Sequence, residues 1–93
     1  NLDWGQDLPA LSDYMKKNNI NEITLNYFGQ ADPRSYGVTY SGFHPDDFER
    51  PGDKLYAISA QYLENVKWTK DHKPGAVAGS SIFIYDLRKK NVK

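Results

Sequence analysis

The apolar run Leu55-Tyr56-Ala57-Ile58 constrains the fold of this chain more than any other stretch. A strand whose successive side chains are all apolar cannot turn either face to water, so the run predicts a strand covered on both faces. The chain has 93 residues, which is enough for one domain, residues 1–93, with a thin core. We therefore expect one small sheet with this strand at its centre.

A helix and a longer strand are predicted ahead of that run. Asp7 suits the N-cap of a helix whose first turn tolerates Pro9, and apolar residues then recur at helical spacing. We predict a helix over residues 7–18. Strand-forming residues alternate from Ile20 to Phe28 and predict a strand that ends at Gly29.

A short helical turn and an edge strand are predicted next. Asp32-Pro33 is a second combination of cap and proline, which predicts one turn of helix over residues 33–36, closed by Gly37. Residues 38–40 form a short β-prone stretch that suits an edge strand.

The segment 41–53 is broken by Gly and Pro and predicts a loop, with a turn of helix around residues 45–48. It carries the acidic side chains of Asp46, Asp47 and Glu49. These residues lack the regular spacing of a calcium-binding loop, so we interpret them as a solvated acidic loop.

The last third of the chain predicts a helix, a loop and a strand. Ser59 can cap a helix that follows it, residues 69–79 are polar and interrupted by Pro and Gly, and residues 81–87 form the clearest strand. Because helices alternate with strands, we predict an α/β fold: a small single sheet of about four strands with helices packed on it, in a Rossmann-like layering.

The composition limits the partners that the chain can have. Twelve basic and twelve acidic residues cancel, which argues against a nucleic-acid surface, since phosphate recognition needs concentrated positive charge. The basic tail, residues 88–93, is interpreted as a solvated end. Aromatic residues make up 14% of the chain, which predicts a core built from a few large rings.

Several kinds of chemistry have no support in the sequence. The chain has no cysteine, which excludes disulfides and thiol catalysis. His44 and His72 have no partner at metal-ligand spacing, so no metal site is predicted. No phosphate-binding or dinucleotide-binding glycine motif is present, so no cofactor is predicted.

Two glycine turns suggest where a ligand would bind. The first lies in residues 1–8 around Gly5, and the second lies in residues 27–33 around Gly29. In open α/β sheets, ligands bind outside the carboxyl ends of the strands. We expect the two turns to lie side by side at one edge of the sheet and to form a binding site there. Its predicted residues are Asp3, Trp4, Gln6, Asp7, Tyr27, Phe28, Gly29, Asp32, Tyr36 and Ser59.

Structural roles compete with ligand binding at several of these positions. For Asp7 the role of helix cap is favoured, and Asp3 could equally be a turn residue, although two carboxylates could do acid–base work or hold a cation. Trp4 is either a core ring or a stacking platform for a sugar. Gln6 has no evident structural duty, and its amide suits the recognition of hydroxyl groups.

The later candidates raise the same choice. Asp32 suits an N-cap with Tyr36 as a lid over it, but both could face a pocket. Ser59 ends the central strand at the same edge, and no histidine or Gly-x-Ser-x-Gly motif accompanies it. Nucleophilic serine chemistry is therefore not expected.

A series of short motifs resembles a known family. The motifs are Asp3-Trp4-Gly5-Gln6-Asp7-Leu8, Tyr27-Phe28-Gly29, Asp32-Pro33, Tyr36-Gly37, Tyr56-Ala57-Ile58-Ser59, Gly79-Ser80-Ser81-Ile82 and Tyr85. In this order along nearly the whole chain, they resemble the C-terminal soluble domain of bacterial polytopic membrane glycosyltransferases similar to protein mannosyltransferases and aminoarabinose transferases. DWGQDL is the most distinctive of them.

The resemblance implies a location and a role. Transmembrane helices would precede Asn1 in the intact protein, and this domain would lie outside the cytoplasm, in the periplasm. Such enzymes move a sugar from a polyprenyl-phosphate donor, and their catalytic carboxylate lies in a loop between early membrane helices, outside this chain. The domain would then be a non-catalytic accessory whose partners are a sugar, a glycosyl acceptor or donor head group, and the transmembrane portion of the same polypeptide.

Two other functions remain open on the sequence. The domain could be purely structural, packing on its membrane portion or on a partner subunit. It could also be a small hydrolase that uses Asp3 and Asp7, which would require the two carboxylates to face each other across a cleft.

Overall fold

The computed structural model describes residues 7–29 and 31–88, which form one five-stranded sheet with helices on both faces. The strands are β1 (Ile23–Asn26), β2 (Tyr40–Ser41), β3 (Leu55–Ser59), β4 (Ala76–Ala78) and β5 (Ile82–Asp86). The α-helices are α1 (Leu8–Lys17) and α2 (Pro45–Glu49), and 3₁₀ helices cover Pro33–Tyr36, Ala60–Asn65 and Lys67–Asp71.

The sheet is mixed, with the strand order β2-β1-β3-β5-β4. Strands β2, β1 and β3 are parallel, whereas β5 runs antiparallel between β3 and β4. The α/β class and a sheet of about the predicted size are confirmed, but the Rossmann-like layering is not. Since β1, β2 and β3 run in one direction, their carboxyl ends share one edge of the sheet.

Strand β3 is the central element, as its apolar run predicts. All five of its residues are buried. Leu55 and Ala57 belong to the core on one face of the sheet, whereas Tyr56 and Ile58 belong to the core on the other. The alternation of side chains along a strand therefore supplies two separate cores from one short segment.

The two cores differ in character. Helix α1 covers one face and places Leu8, Leu11 and Met15 on a mainly aliphatic core. The other face carries the predicted cluster of large rings. There the ring centroid of Trp68 lies 4.8 Å from that of Tyr56 and 5.4 Å from that of Tyr85.

The predicted helical turn at residues 33–36 is confirmed, together with both of its ends. Asp32 Oδ1 accepts a hydrogen bond of 3.0 Å from the backbone N–H of Arg34, so Asp32 is the N-cap. Gly37 closes the turn in the left-handed conformation with φ of 86°, which glycine adopts without steric cost.

The predicted loop at residues 69–79 is wrong at both ends. Its first residues belong to the 3₁₀ helix Lys67–Asp71, and Ala76–Ala78 is strand β4. Strand β4 exists because it pairs with β5, where Val77 lies opposite Phe83. The strand has only three residues, whose side chains are small or half exposed, so the sequence shows no alternation typical of a strand. Only the pairing with β5 reveals it.

The interpretation of Asp47 as part of a solvated acidic loop is also wrong. Asp47 is only 3% exposed and lies in α2, with its side chain turned towards the aromatic core. Its neighbours Asp46 and Glu49 are exposed, as expected. Among the helices of the described ranges, none has the length and apolarity needed to span a bilayer.

A candidate ligand groove at the carboxyl ends of the parallel strands

An open groove of about 500 Å³ lies where β1 and β2 end. Aromatic rings, glycine backbone and two polar side chains line it. The lining residues are Leu25, Asn26, Tyr27, Gly29, Ala31, Asp32, Pro33, Tyr40, Gly42, Phe43 and Phe48. Its position at the carboxyl ends of parallel strands is the usual one for ligands in open α/β sheets.

One wall of the groove is the chain that leaves β1. This chain turns at Tyr27–Gly29 and enters the capped 3₁₀ helix at Asp32. The cap fixes the carboxylate, because Oδ1 is held by the backbone N–H of Arg34. Asp32 is exposed, so this ordered carboxylate faces solvent beside the groove.

Another part of the lining is made by Tyr40 of β2 and by the aromatic residues that follow this strand. The guanidinium carbon of Arg34 lies 4.4 Å from the ring centroid of Tyr40, and Arg34 Nη1 is 3.2 Å from Tyr40 Oη. This cation–π contact holds the Tyr40 ring in place. Further along, the ring centroids of Phe43 and Phe48 are 5.1 Å apart. These contacts therefore hold the aromatic side chains of the groove in fixed orientations.

Asn26 is the unusual polar group in the groove lining. Its Nδ2 is inaccessible to solvent and has no hydrogen-bond partner among the described residues, where it is the one buried side-chain N or O atom in that condition. A buried donor without an acceptor typically costs about 1–3 kcal/mol. In register it lies beside Ile58, so it projects from the aromatic face of the sheet.

Three of the predicted ligand residues line this groove, namely Tyr27, Gly29 and Asp32. Two others are near it in sequence but do not line it. The Phe28 ring packs edge-on against Tyr62 with a centroid distance of 5.7 Å, and Tyr36 is 40% exposed on the 3₁₀ helix.

The structure gives Asp7 and Ser59 partners within the protein. Asp7 stands at the N-terminus of α1, but its side chain does not cap the helix, contrary to the prediction. It is buried, and its Oδ2 accepts a hydrogen bond of 2.5 Å from Ser81 Oγ. Ser59 is 1% exposed; it also makes no cap, because its Oγ accepts a bond of 2.8 Å from the backbone N–H of Phe28.

These bonds run along one edge of the sheet. The backbone N–H of Ala60, next to Ser59, donates to the carbonyl of Ser81, whose hydroxyl donates to Asp7. The end of the first glycine turn and the turn that starts at Tyr27 thus lie along the same edge. Asp3, Trp4 and Gln6, which complete the predicted site, lie outside the described residues.

Asn26, Tyr40, Phe43 and Phe48 line the groove without having been predicted. One signal could have pointed to Asn26. It occupies a strand-forming run at a position whose neighbour on β3 is fully apolar, and asparagine is depleted in strands. The aromatic residues gave no such signal, because only the fold brings the segment after β2 to the end of β1.

A cluster around Asp47 fixes the helix that carries Phe48. The Asp47 carboxylate accepts hydrogen bonds from Tyr56 Oη at 2.8 Å and from Lys54 Nζ at 3.0 Å, and the backbone N–H of His44 adds a third at 2.9 Å. Its backbone carbonyl accepts from Trp68 Nε1 at 2.7 Å. We call these residues the Asp47 cluster.

The ionisation of the cluster follows from these bonds. Burial by itself would raise the pKa of Asp47, but the bonds from His44, Tyr56 and Lys54 lower that pKa below its ordinary value of 3.8. Burial and the neighbouring Asp47 charge raise the pKa of Tyr56 from 10.0 to about 12, against the opposing effect of the Gly52 N–H. The cluster therefore holds an ionised carboxylate and a neutral phenol at neutral pH.

The groove is suited to an uncharged polar ligand with an apolar side. Rings supply flat apolar surface, and the exposed carboxylate of Asp32 supplies an acceptor. In the described ranges, no group of three or more His, Cys, Asp or Glu residues could hold a metal ion.

Comparison with known proteins adds no relative to this geometry. No protein-family model matches the chain, and neither a curated protein nor a solved structure shows significant similarity to it. The function is therefore argued from the groove itself.

Proposed function

We propose that this chain is a non-catalytic binding domain that holds a sugar or another glycosyl group in the groove at the ends of β1 and β2. The observation that carries the proposal is the groove itself, which lies at the carboxyl ends of parallel strands and is lined by aromatic rings together with polar side chains.

The chemistry of the lining matches that of a pyranose ring. A sugar presents an apolar face of C–H groups, which packs on aromatic rings, and a rim of hydroxyls, each of which can donate and accept hydrogen bonds. Tyr40 and Phe43 offer rings, and the exposed Asp32 offers a carboxylate acceptor.

The motif resemblance supports the wider context of the proposal. In that context the chain is an extracytoplasmic, periplasmic accessory domain of a membrane-embedded glycosyltransferase that depends on a polyprenyl-phosphate sugar. It binds or positions a sugar or acceptor and packs on the transmembrane portion of its own polypeptide. The parallel strands β2, β1 and β3 form the part of the sheet in which a Rossmann-like arrangement is proposed, with the ligand at their carboxyl ends.

A titration followed by NMR tests the binding. Methyl α-D-mannopyranoside, methyl β-D-glucopyranoside and D-glucosamine are added to the 15N-labelled chain, and backbone amide shifts are mapped. We expect at least one sugar to shift amides of residues 25–29 and 40–43. Shifts confined to other surfaces, or none with any sugar at millimolar concentration, would overturn the proposal.

A glycine pair supplies a blocking variant and its control. A Cβ at Gly42, in the groove lining, would meet no atom within 4 Å, and a Cβ at Gly75 would meet only the Ile84 carbonyl at 4.0 Å. Both positions therefore tolerate a side chain, but only Gly42→Leu fills part of the groove. We expect Gly42→Leu to abolish sugar-induced shifts and Gly75→Leu to leave them unchanged.

The alternative of a purely structural domain, which only packs on its membrane portion or on a partner subunit, has its own support. Asp7 and Ser59, two predicted ligand residues, are buried and bonded within the protein, as a domain that only packs on a partner would show. It predicts that the groove binds no sugar, so the titration separates the two. The hydrolase that uses Asp3 and Asp7 has no such support, because the Asp7 carboxylate is buried against Gly79 and Ser81.

A further inference from the structure

Resting on the proposed function, we infer that Arg34 positions the groove for its ligand, because it holds the Asp32 carboxylate and the Tyr40 ring at the same time. Asp32 and Tyr40 both line the groove, whereas Arg34 is not among the described residues that line it. Arg34 therefore acts on a ligand through these two groups and not by touching the ligand itself.

Two different parts of Arg34 make these contacts. Its backbone N–H donates to Asp32 Oδ1 at 3.0 Å and so fixes the carboxylate that caps the 3₁₀ helix. Its guanidinium carbon lies 4.4 Å from the ring centroid of Tyr40, and its Nη1 donates to Tyr40 Oη at 3.2 Å. One residue thus links the chain that leaves β1 to strand β2.

The short helix that carries Arg34 is itself held at its end. The backbone carbonyl of Arg34 accepts from the N–H of Gly37 at 3.1 Å. The carbonyl of Pro33 accepts from the N–H of Val38 at 3.2 Å, and both of these residues are buried. The backbone of Arg34 is therefore fixed, as a residue that positions others must be.

The Tyr40 ring depends on this support. Strand β2 has two residues and lies at the edge of the sheet, beside β1, so its backbone is held less firmly than that of a central strand. The ring is half-buried against the aliphatic core, and Arg34 adds the contact that fixes its hydroxyl. A ring that is already fixed loses less conformational entropy when a sugar packs on it.

The motion of the Tyr40 ring tests the contact without any ligand. Arg34→Leu keeps the backbone N–H that donates to Asp32 and removes the guanidinium. In a chain with 13C-labelled tyrosine rings, we expect NMR relaxation to show faster motion of the Tyr40 ring in Arg34→Leu than in the wild type. The control Arg50→Leu removes an exposed arginine outside the groove lining and should leave this motion unchanged. Unchanged motion in Arg34→Leu would overturn the inference and leave the proposed function untouched.

Sugar affinity tests the consequence for a ligand. The probe is whichever of methyl α-D-mannopyranoside, methyl β-D-glucopyranoside and D-glucosamine shifts the groove amides most. We expect Arg34→Leu to lower its affinity about two- to fivefold, the range of an exposed cation–π contact. Arg34→Lys should lose less, because it keeps a cation near the ring but not the planar guanidinium. Arg50→Leu should bind the sugar as the wild-type chain does.

A double variant shows whether Arg34 acts through Tyr40. Tyr40→Phe keeps the ring and removes the hydroxyl that accepts from Arg34. The loss of affinity caused by Arg34→Leu should be smaller in the Tyr40→Phe background than in the wild type, because part of the contact is already gone. Equal losses in the two backgrounds would contradict the inference.

The outcomes distinguish this inference from the proposed function. If a sugar shifts the groove amides and Arg34→Leu binds it as tightly as the wild type, the inference is wrong and the proposed function stands. If no sugar shifts these amides in the wild type, the proposed function is wrong and the inference fails with it. A melting temperature of Arg34→Leu more than about 4 °C below that of the wild type would make Arg34 a structural residue instead.

Discussion

Asp47 and Asn26 are both polar side chains on the aromatic side of the sheet, and the protein treats them in opposite ways. Asp47 is 3% exposed, and its carboxylate receives hydrogen bonds from three residues. The Nδ2 of Asn26 is equally hidden from solvent and donates to no acceptor among the described residues. The Asp47 carboxylate therefore has hydrogen-bond donors within the protein, whereas the Asn26 donor lacks an acceptor among the described residues.

The contrast separates a buried polar group that stabilises the fold from one that does not. Satisfied buried polar networks make a structure rigid, and an unsatisfied member reduces its stability. Asp47 lies in α2. The bond from Tyr56 links this helix to β3, and the bond from Trp68 links it to the 3₁₀ helix Lys67–Asp71. The Nδ2 of Asn26 links no elements within the described ranges, although Asn26 ends the strand beside the groove. Substitutions at the two sites should therefore have opposite effects on stability.

The largest effect is expected at Asp47. Asp47→Ala should lower the free energy of unfolding by about 3–5 kcal/mol, because it leaves Lys54 and Tyr56 without their buried partner. Denaturation in urea measures this change. The matched control is Asp46→Ala, next to it in the same helix but exposed, which should change stability by less than about 0.5 kcal/mol. Equal effects at the two positions would contradict the account.

Acid should reduce the stability that the Asp47 carboxylate contributes. The pKa of Asp47 is lower in the folded chain than its ordinary value of 3.8, so the folded state favours the carboxylate. The stability that it contributes is complete above pH 3.8 and is lost as the pH falls through the lower, folded value. Urea denaturation between pH 5 and 2 should show this loss, and Asp47→Asn should show less of it.

The next largest effect is expected at alkaline pH, where ionisation of Tyr56 should reduce the free energy of unfolding. The pKa of Tyr56 is raised from 10.0 to about 12, so the folded state favours the neutral phenol. This stability, up to about 3 kcal/mol, is complete below pH 10 and is lost as the pH rises through 12. Tyr56→Phe should lose less stability than the wild type between pH 9 and 12. Burial also raises the pKa of Tyr85, so part of the dependence should remain. Identical slopes in the two proteins would exclude this role for Tyr56.

A smaller effect of opposite sign is expected at Asn26. Asn26→Leu should raise the free energy of unfolding by about 1 kcal/mol, because it removes a buried donor that has no acceptor and adds apolar contact. Thermal denaturation of the ligand-free chain checks this, with Thr24→Val as the control for added apolar surface on the same strand. A loss of more than about 1 kcal/mol would mean that the amide has a structural partner.

The smallest effect is expected at an exposed carboxylate of the same helix as Asp47. Glu49 Oε1 lies 3.1 Å from Lys67 Nζ, but both side chains are more than half exposed. Glu49→Gln should change the free energy of unfolding by less than about 0.5 kcal/mol, and the change should vanish in high salt. A larger effect would show that burial is not what distinguishes Asp47.

The sequence predicted those parts of the fold whose signals are local. Asp32, Pro33 and Gly37 define a complete short helix by cap, proline and left-handed closure, and the structure contains it. The apolar run of β3 likewise predicted a strand covered on both faces. Strand β4 has no signal of its own, because it is stabilised by pairing with β5.

The site was predictable only where it follows directly from a strand end. Tyr27, Gly29 and Asp32 were found because they follow β1 and line the groove. Phe43 and Phe48 were missed because only the path of the chain after β2 brings them to the groove. Asp47 was misread because its burial depends on Tyr56 and Trp68, which are distant in sequence.

The most direct test of the central claim is a crystal structure of the chain grown with methyl α-D-mannopyranoside at high concentration. The account predicts a sugar in the groove, with its apolar face against the Tyr40 or Phe43 ring and a hydroxyl oxygen about 3 Å from the Asp32 carboxylate. Crystals in which the groove is empty, or in which the sugar lies on another surface, would contradict it.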